Sequence, residues 1–538
     1  MVAKQTANTI FINGQVITMN EEHEEASTIV VKNGTIVAVG QHDLIDLWQE
    51  EDTKIVDLQR KTIMPSFIES HVHPVIYAKN IIQVDCSPRA VSTVSDILIK
   101  LKQEAASVKE GKWIRGYGWN DSQIEEGRAP TRKELDEVAP NNPVILKRTC
   151  NHVAVVNTKA LELSDINEKT PNPQGGEFIK DSNGEMNGIV QEQALNLINP
   201  PPYSEEELTK GFNIAQEDFL KWGITTVHEM AGTTEEMSLY QKLHQEKNLK
   251  IRVRPWLLAL DIAGMKGMLS SVLNVGLRSD FGDDYLTIQG VKFLLDGAGS
   301  GGTACVYEPN VSNGKRGIIY YDIEQYAPYV EQSIKAGLRT AVHAIGDEAI
   351  ELALKGYERV GESVDITNMR NRIEHCGLPT EEQLKRMKKL ELIAASSVGF
   401  IYHVGDNYLY HYGKERMKRL YPHKSFKDYG IIAPANSDLP VVSGNPFQGM
   451  YGAVTRKTHQ GTILDDEQGI SVFDALKAYT VDAAYSSFEE DKLGVIKKGA
   501  KADLIVISDN PLKVDVETLK DIYVEQTYVD GLLVWDKE

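Results

Sequence analysis

The sequence predicts an α/β protein built on a (β/α)8 barrel of the TIM type, with a small β-sandwich domain formed from both termini. Three observations predict this fold. Apolar runs of strand length alternate with helical patterns through the middle of the chain. Short β segments broken by tight-turn dipeptides stand at both ends. The gap between the first two barrel strands is far longer than a usual strand-to-helix connection.

The barrel prediction depends on eight apolar runs, most of which are followed by a helical pattern. Such interleaving of eight strands with helices is typical of the (β/α)8 barrel, and a doubly wound open sheet is the alternative architecture. Helices are expected at 322–336, 347–360 and 380–390. The eight predicted strands are 62–69, 222–229, 251–258, 286–295, 338–343, 370–375, 391–397 and 430–437.

Two further regions complete the predicted domain organisation. Strand-like runs before Asn13-Gly14 and Asn33-Gly34 resemble the run Ala502 to Ile507 near the other end. Because the termini of compact folds often lie close together, residues 1–61 and 490–538 are predicted to form one composite β domain, with the barrel at 62–489. Residues from about 80 to 215 carry helices and a strand of their own, which predicts an inserted subdomain over the barrel mouth.

Composition excludes several classes of function. The net charge of −19 argues against nucleic acid or an anionic membrane as a partner. The four cysteines form no C-x-x-C pair, which suits a reducing compartment. No apolar segment at the N-terminus has the form of a signal, and no run reaches membrane-spanning length. We therefore expect a cytoplasmic protein that acts on a small-molecule substrate, and we expect a homodimer.

Two histidines end the first predicted strand. His71 and His73 are spaced i, i+2, so on an extended strand their side chains point to the same face. Neutral imidazole is the commonest nitrogen ligand for zinc-like ions, so the pair forms half of a metal site. Two surface histidines at a turn are the alternative interpretation of an isolated H-x-H.

Other strand ends carry candidate ligands, and barrel enzymes place their active sites at the C-terminal ends of the strands. His343 and His375 end the fifth and sixth strands, although a single histidine there is more often a core residue. Lys292 lies inside the apolar fourth strand, where an unpaired amine costs several kcal/mol, and an ion pair with Asp296 is its structural alternative. Asp438 ends the eighth strand, where it could instead cap the segment that follows. The convergence of all these groups favours a metal site.

Six motifs follow one another over most of the chain. They are Pro65 to Pro74, Trp113 to Trp119, the Lys292 segment, His343 to Asp347, Arg372 to Cys376, and Ser437-Asp438 with Pro440-Val441. This ordered set resembles the amidohydrolase superfamily of metal-dependent hydrolases, and in particular its YtcJ-like (amidohydrolase 3) branch, which includes N-substituted formamide deformylases. The resemblance implies a divalent metal, zinc as one or two ions, and a hydrolytic activity.

The same resemblance assigns roles to individual residues. It implies that the metal is held by His71, His73, His343 and His375, with Asp438 as ligand and proton carrier. Lys292 stands where many members carry a carboxylated lysine that bridges two metals. Asn436 and the segment Gly299 to Thr303 depart from the usual pattern of the branch, which alters the pocket walls without removing a ligand.

Secondary candidates lie in the inserted segment and elsewhere. His152 matches a histidine of the branch and is expected to polarise the carbonyl or contact substrate, with a plain surface histidine as the alternative. Glu192 matches an acidic position, with an exposed helix residue as its alternative. Phe67, Tyr117 and Trp119 could line the pocket, although such aromatic residues more often pack cores. His228 is not predicted to be a ligand, and the region around His403, His411 and His423 is expected to be a solvated loop.

The predicted activity follows from these ligands. We expect a metal-dependent amidohydrolase that cleaves a C–N bond in an amide-type small molecule, an N-acyl or N-formyl amine, through metal-activated water. Asp438 would take the proton of the water and pass it to the leaving nitrogen. One alternative is a deaminase of a cyclic amidine or nucleobase. The other is a barrel without turnover that serves as a binding or regulatory protein.

Overall fold

The structure is a computed structural model that describes residues 6–20, 26–88, 90–149, 153–262 and 264–537. The chain divides into two compact units. One contains Met1–Pro74 and Gln216–Glu538, and the other contains Val75–Ala215. The first unit holds the barrel and two terminal sheets. Within the described part of the chain, none of the helices has both the length and the apolar character needed to cross a bilayer.

The centre of the first unit is a nearly closed barrel of parallel strands. Seven positions of the barrel are occupied by regular strands, each hydrogen-bonded to the next. The third position is split into two short pieces on either side of Arg254-Pro255. In barrel order the strands are Phe67–Val72, Ile224–Gly232, Arg252–Val253 with Trp256–Leu258, Gly290–Leu294, Arg339–Ala344, Arg372–His375 and Ile393–Ser396.

The eighth barrel position differs from the expectation of a strand at 430–437. The segment accepts hydrogen bonds from the seventh strand, but only one isolated bridge, Ser396 to Ala435, has parallel strand pairing. Pro434 explains the interruption, because proline has no N–H to donate to a ladder. Two backbone bonds then join this segment to the first strand, Asp438 N to His71 O at 3.1 Å and His73 N to Leu439 O at 2.9 Å.

Helices surround the barrel and cover its apolar outer face. Capping boxes begin three of them, at Thr233 with Glu236, at Asp322 with Gln325 and at Thr380 with Gln383. The helices of this unit that follow the second strand are Thr234–Gln245, Leu269–Asn274, Ile323–Lys335, Asp347–Gly361, Glu381–Lys389, Gly399–Tyr412, Lys414–Met417, His423–Asp428, Pro446–Thr455, Val472–Tyr479, Val481–Tyr485 and the 3-10 helix Val516–Asp521.

Segments from both ends of the chain form two further sheets that share one hydrophobic core, which includes Phe11, Ile63, Val506 and Tyr528. That these sheets constitute a separate sandwich domain stays a prediction. A short helix, Leu44–Trp48, lies between strands of the first sheet. The first sheet contains Thr35–Gly40, Thr28–Lys32, Thr9–Ile12 and Lys54–Asp57, and the second contains Gln15–Val16, Thr62–Pro65, Leu504–Ile507, Val524–Val529 and Leu532–Asp536.

The run predicted as one strand at 62–69 serves two sheets. Thr62–Pro65 pairs with Leu504–Ile507, whereas Phe67–Val72 pairs with the second barrel strand. Ser66 lies at the crossing, and its N–H donates to Asp503 while the N–H of Phe67 donates to Gly223. The apolar run therefore continues through a change of sheet, which hydrophobicity alone does not reveal.

The second unit has its own six-stranded sheet and its own cores. Its strands are Val84–Asp85, Ile114–Trp119, Val144–Arg148, Val153–Val156, Gly176–Lys180 and Met186–Glu192. Its helices are Val94–Ser107, Arg132–Val138 and Thr158–Leu163, with the 3-10 helices Asp121–Gln123 and Gln193–Leu197. Two helices, Pro74–Ile81 and Glu205–Lys221, contain the points at which the chain passes between the units.

Candidate metal centre

The C-terminal end of the first strand and the eighth barrel position bring three ligand-type groups together. Nε2 of His71 lies 3.5 Å from Oδ1 of Asp438, and Nε2 of His73 lies 3.3 Å from the same oxygen. One ligand atom from each of the three residues falls within 4.8 Å of the others, and no other described residues form such a group. Two imidazole nitrogens and a carboxylate oxygen are a donor set that suits zinc.

His71 is held by a buried carboxylate on its other ring nitrogen. Nδ1 of His71 lies 2.5 Å from Oε2 of Glu374. The same carboxylate accepts two hydrogen bonds from Arg372, from Nε to Oε1 at 2.6 Å and from Nη2 to Oε2 at 3.0 Å. Because this carboxylate is an acceptor, the hydrogen of His71 is on Nδ1 and its lone pair is on Nε2. Burial, together with the charges of Lys292 and Arg372, holds the pKa of His71 well below its usual range.

His73 has a similar partner at greater distance. Its Nδ1 lies 3.6 Å from Oε1 of Glu229, and the hydroxyl of Tyr240 donates to Oε2 of that carboxylate at 2.6 Å. Burial would lower the pKa of His73, but Asp438 and Glu229 outweigh it and raise the pKa to about 9. In the metal-free protein His73 therefore holds a proton that a metal ion would have to displace.

Asp438 is placed by its backbone and by its neighbour. Its φ of 55° lies in the left-handed region, which is uncommon for residues other than glycine and is often found at functional sites. The N–H and hydroxyl of Ser437 both donate to the buried carboxyl of Glu69, at 3.0 and 2.9 Å. Oδ1 of Asp438 is buried and no described donor is aligned to bond with it. An acceptor in that position fits a cation.

The imidazole of His375 lies beside that of His71, and the imidazole of His343 lies beside that of His375. The ring centroids of His71 and His375 are 4.6 Å apart, and those of His375 and His343 are 4.5 Å apart. Nδ1 of His375 lies 2.8 Å from the hydroxyl of Ser397, and its backbone φ is 66°. Burial, with the neighbouring imidazoles, holds the pKa of His375 well below its usual range. Neither residue belongs to the tight group of three.

Lys292 lies on the fourth strand, and its side chain is buried with 2% of the residue exposed. Burial lowers the pKa of its amine to about 8, although the charges of Glu374 and Asp438 oppose this shift. The alternative ion pair with Asp296 is not formed. Asp296 instead accepts backbone hydrogen bonds from Cys305, Ile345 and Gly346.

The secondary candidate residues lie in different environments. His152 lies outside the described residues. Glu192 is the exposed last residue of the strand Met186–Glu192 and is not in a helix. The indole of Trp119 is buried in a core of the second unit and donates to Leu146 O at 3.0 Å, whereas Tyr117 is half-buried. Phe67 packs edge-on against Phe447 and Tyr479, which is a core position.

The expectation of a solvated loop around His403, His411 and His423 is wrong. His403 and His411 lie on the helix Gly399–Tyr412, and buried His423 begins the helix His423–Asp428. Four apolar or aromatic residues of the first helix join one core, namely Phe400, Ile401, Tyr408 and Tyr412. Tyr408 and Tyr412 therefore serve for packing, whereas Tyr410 on the same helix is exposed.

Buried charged residues around the ligands were not predicted as functional residues. They are Glu69, Glu229, Arg372 and Glu374, and each is at most 2% exposed. The signal was an ionisable residue inside an apolar strand, the same signal that identified Lys292. His228 belongs to this group as well, because its Nδ1 lies 3.0 Å from Nη1 of Arg372.

The chain is similar to known proteins in sequence and in fold. The model of a family described as "Amidohydrolase family" matches residues 54–535. YtcJ of Bacillus subtilis (strain 168), which is named only provisionally as an amidohydrolase, is 27% identical over 98% of the chain and 99% of its own length. An N-substituted formamide deformylase of Arthrobacter pascens is 28% identical over 99% of each chain. The crystal structure of an uncharacterised metal-dependent hydrolase from Pyrococcus furiosus superposes with a TM-score of 0.78 at 28% identity, over 94% of this chain and 100% of that one.

Proposed function

The chain belongs to the amidohydrolase family, and we propose on this basis that it is a metal-dependent hydrolase that cleaves a C–N bond in an N-acyl or N-formyl amine. One observation carries the proposal. Nε2 of His71 and Nε2 of His73 converge on a buried carboxylate oxygen of Asp438 that has no aligned hydrogen-bond donor. The named activity of the Arthrobacter pascens relative supports the choice of an amide-type substrate.

His71, His73 and Asp438 would hold the ion, with His375 and His343 as further ligands from neighbouring strand ends. Zinc suits this mixture of imidazole and carboxylate donors. When bound, the ion would lower the pKa of a water molecule from about 15.7 towards about 7 and polarise the substrate carbonyl. The low pKa of His71 and His375 favours the neutral imidazole that ligation requires.

Asp438 is the proton carrier in this proposal. Its carboxylate takes a proton from the attacking water and delivers it to the leaving nitrogen, which must be protonated before it can depart. Its setting suits the task, because the side chain is 11% exposed and Oδ1 has no aligned described hydrogen-bond donor. His152 is proposed to assist at the carbonyl.

Lys292 is the proposed site of carboxylation, which would allow a second ion. Burial that lowers the pKa to about 8 makes the uncharged amine available near neutral pH, and only that form reacts with carbon dioxide. A cytoplasmic location and a homodimer complete the proposal.

A substrate panel tests the reaction. Purified protein reconstituted with Zn2+ would be given N-formyl amines, N-acyl amines, aminopurines and aminopyrimidines, and release of formate, carboxylate and ammonia would be measured separately. We expect a carboxylic acid and an amine from the first two classes. Ammonia from the heterocycles alone would show deamination instead, and turnover of none of these classes by metal-loaded protein would remove the proposed amide hydrolysis.

A further inference from the structure

The structure assigns to Asp296 a positioning role: its carboxylate fixes the ring of His343 so that Nε2 carries the hydrogen and Nδ1 presents the lone pair to the metal centre. This inference rests on the proposed metal site. It names a residue that neither touches substrate nor ligates metal, and that acts through His343.

The contact geometry determines the hydrogen on the ring. Nε2 of His343 lies 3.2 Å from Oδ1 of Asp296 and 3.3 Å from the carbonyl oxygen of Gly297. A carbonyl oxygen can only accept, and the carboxylate of Asp296 already accepts three backbone hydrogen bonds. Because both of these described neighbours are acceptors, Nε2 is the nitrogen that bears the hydrogen. The lone pair of the neutral ring is then on Nδ1.

Asp296 can orient the ring of His343 because three backbone hydrogen bonds fix its own carboxylate. Its Oδ2 accepts from the N–H groups of Cys305 and Gly346, at 2.9 and 3.0 Å, and its Oδ1 accepts from Ile345 at 3.0 Å. The side chain of Asp296 is fully buried, whereas that of His343 is 13% exposed. Donors from two chain segments therefore fix the carboxylate before any ligand binds.

The same carboxylate joins the glycine-rich segment 297–305 to the turn after the fifth strand. That turn is close-packed, because a Cβ atom on Gly346 would lie 1.8 Å from the carbonyl oxygen of Cys305. Both oxygens of Asp296 are thus committed to backbone groups that cannot move apart freely. His343 receives a fixed acceptor at one nitrogen, and its ring lies 4.5 Å from the ring of His375 between centroids.

His71 provides the opposite case within the same centre. Its Nδ1 faces Glu374, so Nε2 is the free nitrogen, whereas Nε2 of His343 faces Asp296. Two buried carboxylates thereby select different nitrogens on two histidines. A ring with the wrong hydrogen would present a donor to a cation, so losing such a partner typically costs about 10- to 100-fold in metal affinity.

Asp296→Asn is the test, because the amide keeps the size of the side chain but has a single acceptor oxygen. Either His343 or the backbone donors of 305 and 346 then face an NH2 group. Asp347→Asn is the matched control. Asp347 is equally buried, accepts from Tyr307 N at 2.8 Å and from Arg419 at 2.6 Å, and has no described contact with a histidine. The Asp347→Asn substitution changes a buried carboxylate of the same region that is not in contact with the ring of His343 in the described structure.

Two measurements decide the matter. Zn2+ affinity, measured by competition with a chelator, is expected to fall about 10- to 100-fold in Asp296→Asn and to stay at the wild-type value in Asp347→Asn. The 15N shifts of histidine-labelled, metal-free wild-type protein, with His343 assigned from the signal that a His343→Gln variant loses, are expected to show hydrogen on Nε2. A folded Asp296→Asn protein with wild-type affinity, or hydrogen on Nδ1 of His343, would overturn the inference.

The design separates this inference from the proposed function. If wild-type protein binds no Zn2+, the proposed metal site fails, while comparison of the His343 ring in metal-free wild-type and Asp296→Asn proteins still decides whether Asp296 selects the nitrogen. If Asp296→Asn does not fold, as judged by circular dichroism, Asp296→Ser takes its place. A folded Asp296→Ser protein with the wild-type hydrogen position and the wild-type Zn2+ affinity would overturn the inference.

Discussion

Nδ1 of His71 lies 2.5 Å from Oε2 of Glu374, and Arg372 donates to both oxygens of the same carboxylate. The three side chains form a buried chain that ends at the proposed ligand atom, Nε2 of His71. Glu374 therefore neutralises a buried guanidinium and orients a histidine at the same time.

Glu374→Gln is expected to weaken Zn2+ binding by about 10- to 100-fold. It should also lower the free energy of unfolding by about 3–5 kcal/mol, because Arg372 is left as an uncompensated buried charge. Chelator competition and urea unfolding measure the two effects. Glu324→Gln, which removes an exposed pair with Arg359, is the control and should change neither by more than about 1 kcal/mol. Wild-type metal affinity in Glu374→Gln would contradict the account.

Asp438→Asn is expected to retain metal while turnover falls by orders of magnitude, because an amide oxygen can still ligate but the side chain cannot carry a proton. Metal content by elemental analysis and kcat on the best substrate of the panel measure the two effects. Near-normal kcat would remove Asp438 as the proton carrier. Loss of metal together with activity would show that Asp438 acts mainly as a ligand.

Lys292 is predicted to respond to bicarbonate. Metal-free protein should regain more activity with Zn2+ plus bicarbonate than with Zn2+ alone, because the buried amine, whose pKa is about 8, is partly uncharged at neutral pH. Lys292→Met should remove the difference. Equal recovery of the wild-type protein under both conditions would favour an unmodified amine.

Much of the barrel could be predicted from the chain. Apolar runs indicated most of the strands, and helices with clear start signals lie close to their predicted positions, as Ile323–Lys335 and Asp347–Gly361 show. The irregular pairing of the eighth barrel position could not be predicted, because Pro434 interrupts the hydrogen-bond ladder within an otherwise apolar segment. The change of sheet at Ser66 was also hidden, since pairing partners come from distant parts of the chain.

The candidate site shows the same division. His71, His73 and Asp438 were expected together and lie together, with His375 and His343 beside them. The carboxylates Glu374, Glu229 and Glu69 that position these groups were missed. Glu374 and Glu69 lie close in sequence to the predicted ligands His375 and His71, whereas Glu229 follows His228, which was not predicted as a ligand. Which nitrogen or hydroxyl each carboxylate contacts depends on a neighbouring strand. Sequence thus indicates the candidate ligands, whereas the fold determines their partners.

A buried ion pair away from the centre predicts how stability depends on pH. Nε and Nη2 of Arg254 donate to Glu489 at 2.8 and 2.7 Å. Burial would raise the pKa of Glu489, but Arg254 outweighs it and the pKa lies below the usual 4.5. The folded state thus favours the ionised form, so this contribution to stability is present above pH 4.5 and is lost as the pH falls through the lowered pKa.

Glu489→Gln should therefore lower the free energy of unfolding at neutral pH by about 3–5 kcal/mol, since Arg254 stays buried without its partner. The difference from wild type should shrink below pH 4.5. Urea unfolding across that range measures it. Glu490→Gln, at a more exposed pair with Arg370, is the control and should have a smaller effect. A difference that does not change with pH would contradict the assignment.

Metal stoichiometry tests the central claim most directly. Protein purified without chelator would be analysed for bound metal beside the double variant His71→Ala with His73→Ala, and an anomalous-scattering map would locate the ion. The account predicts at least one divalent ion per chain between His71, His73 and Asp438, and none there in the double variant. Wild-type protein without metal, or a double variant with full occupancy, would contradict it.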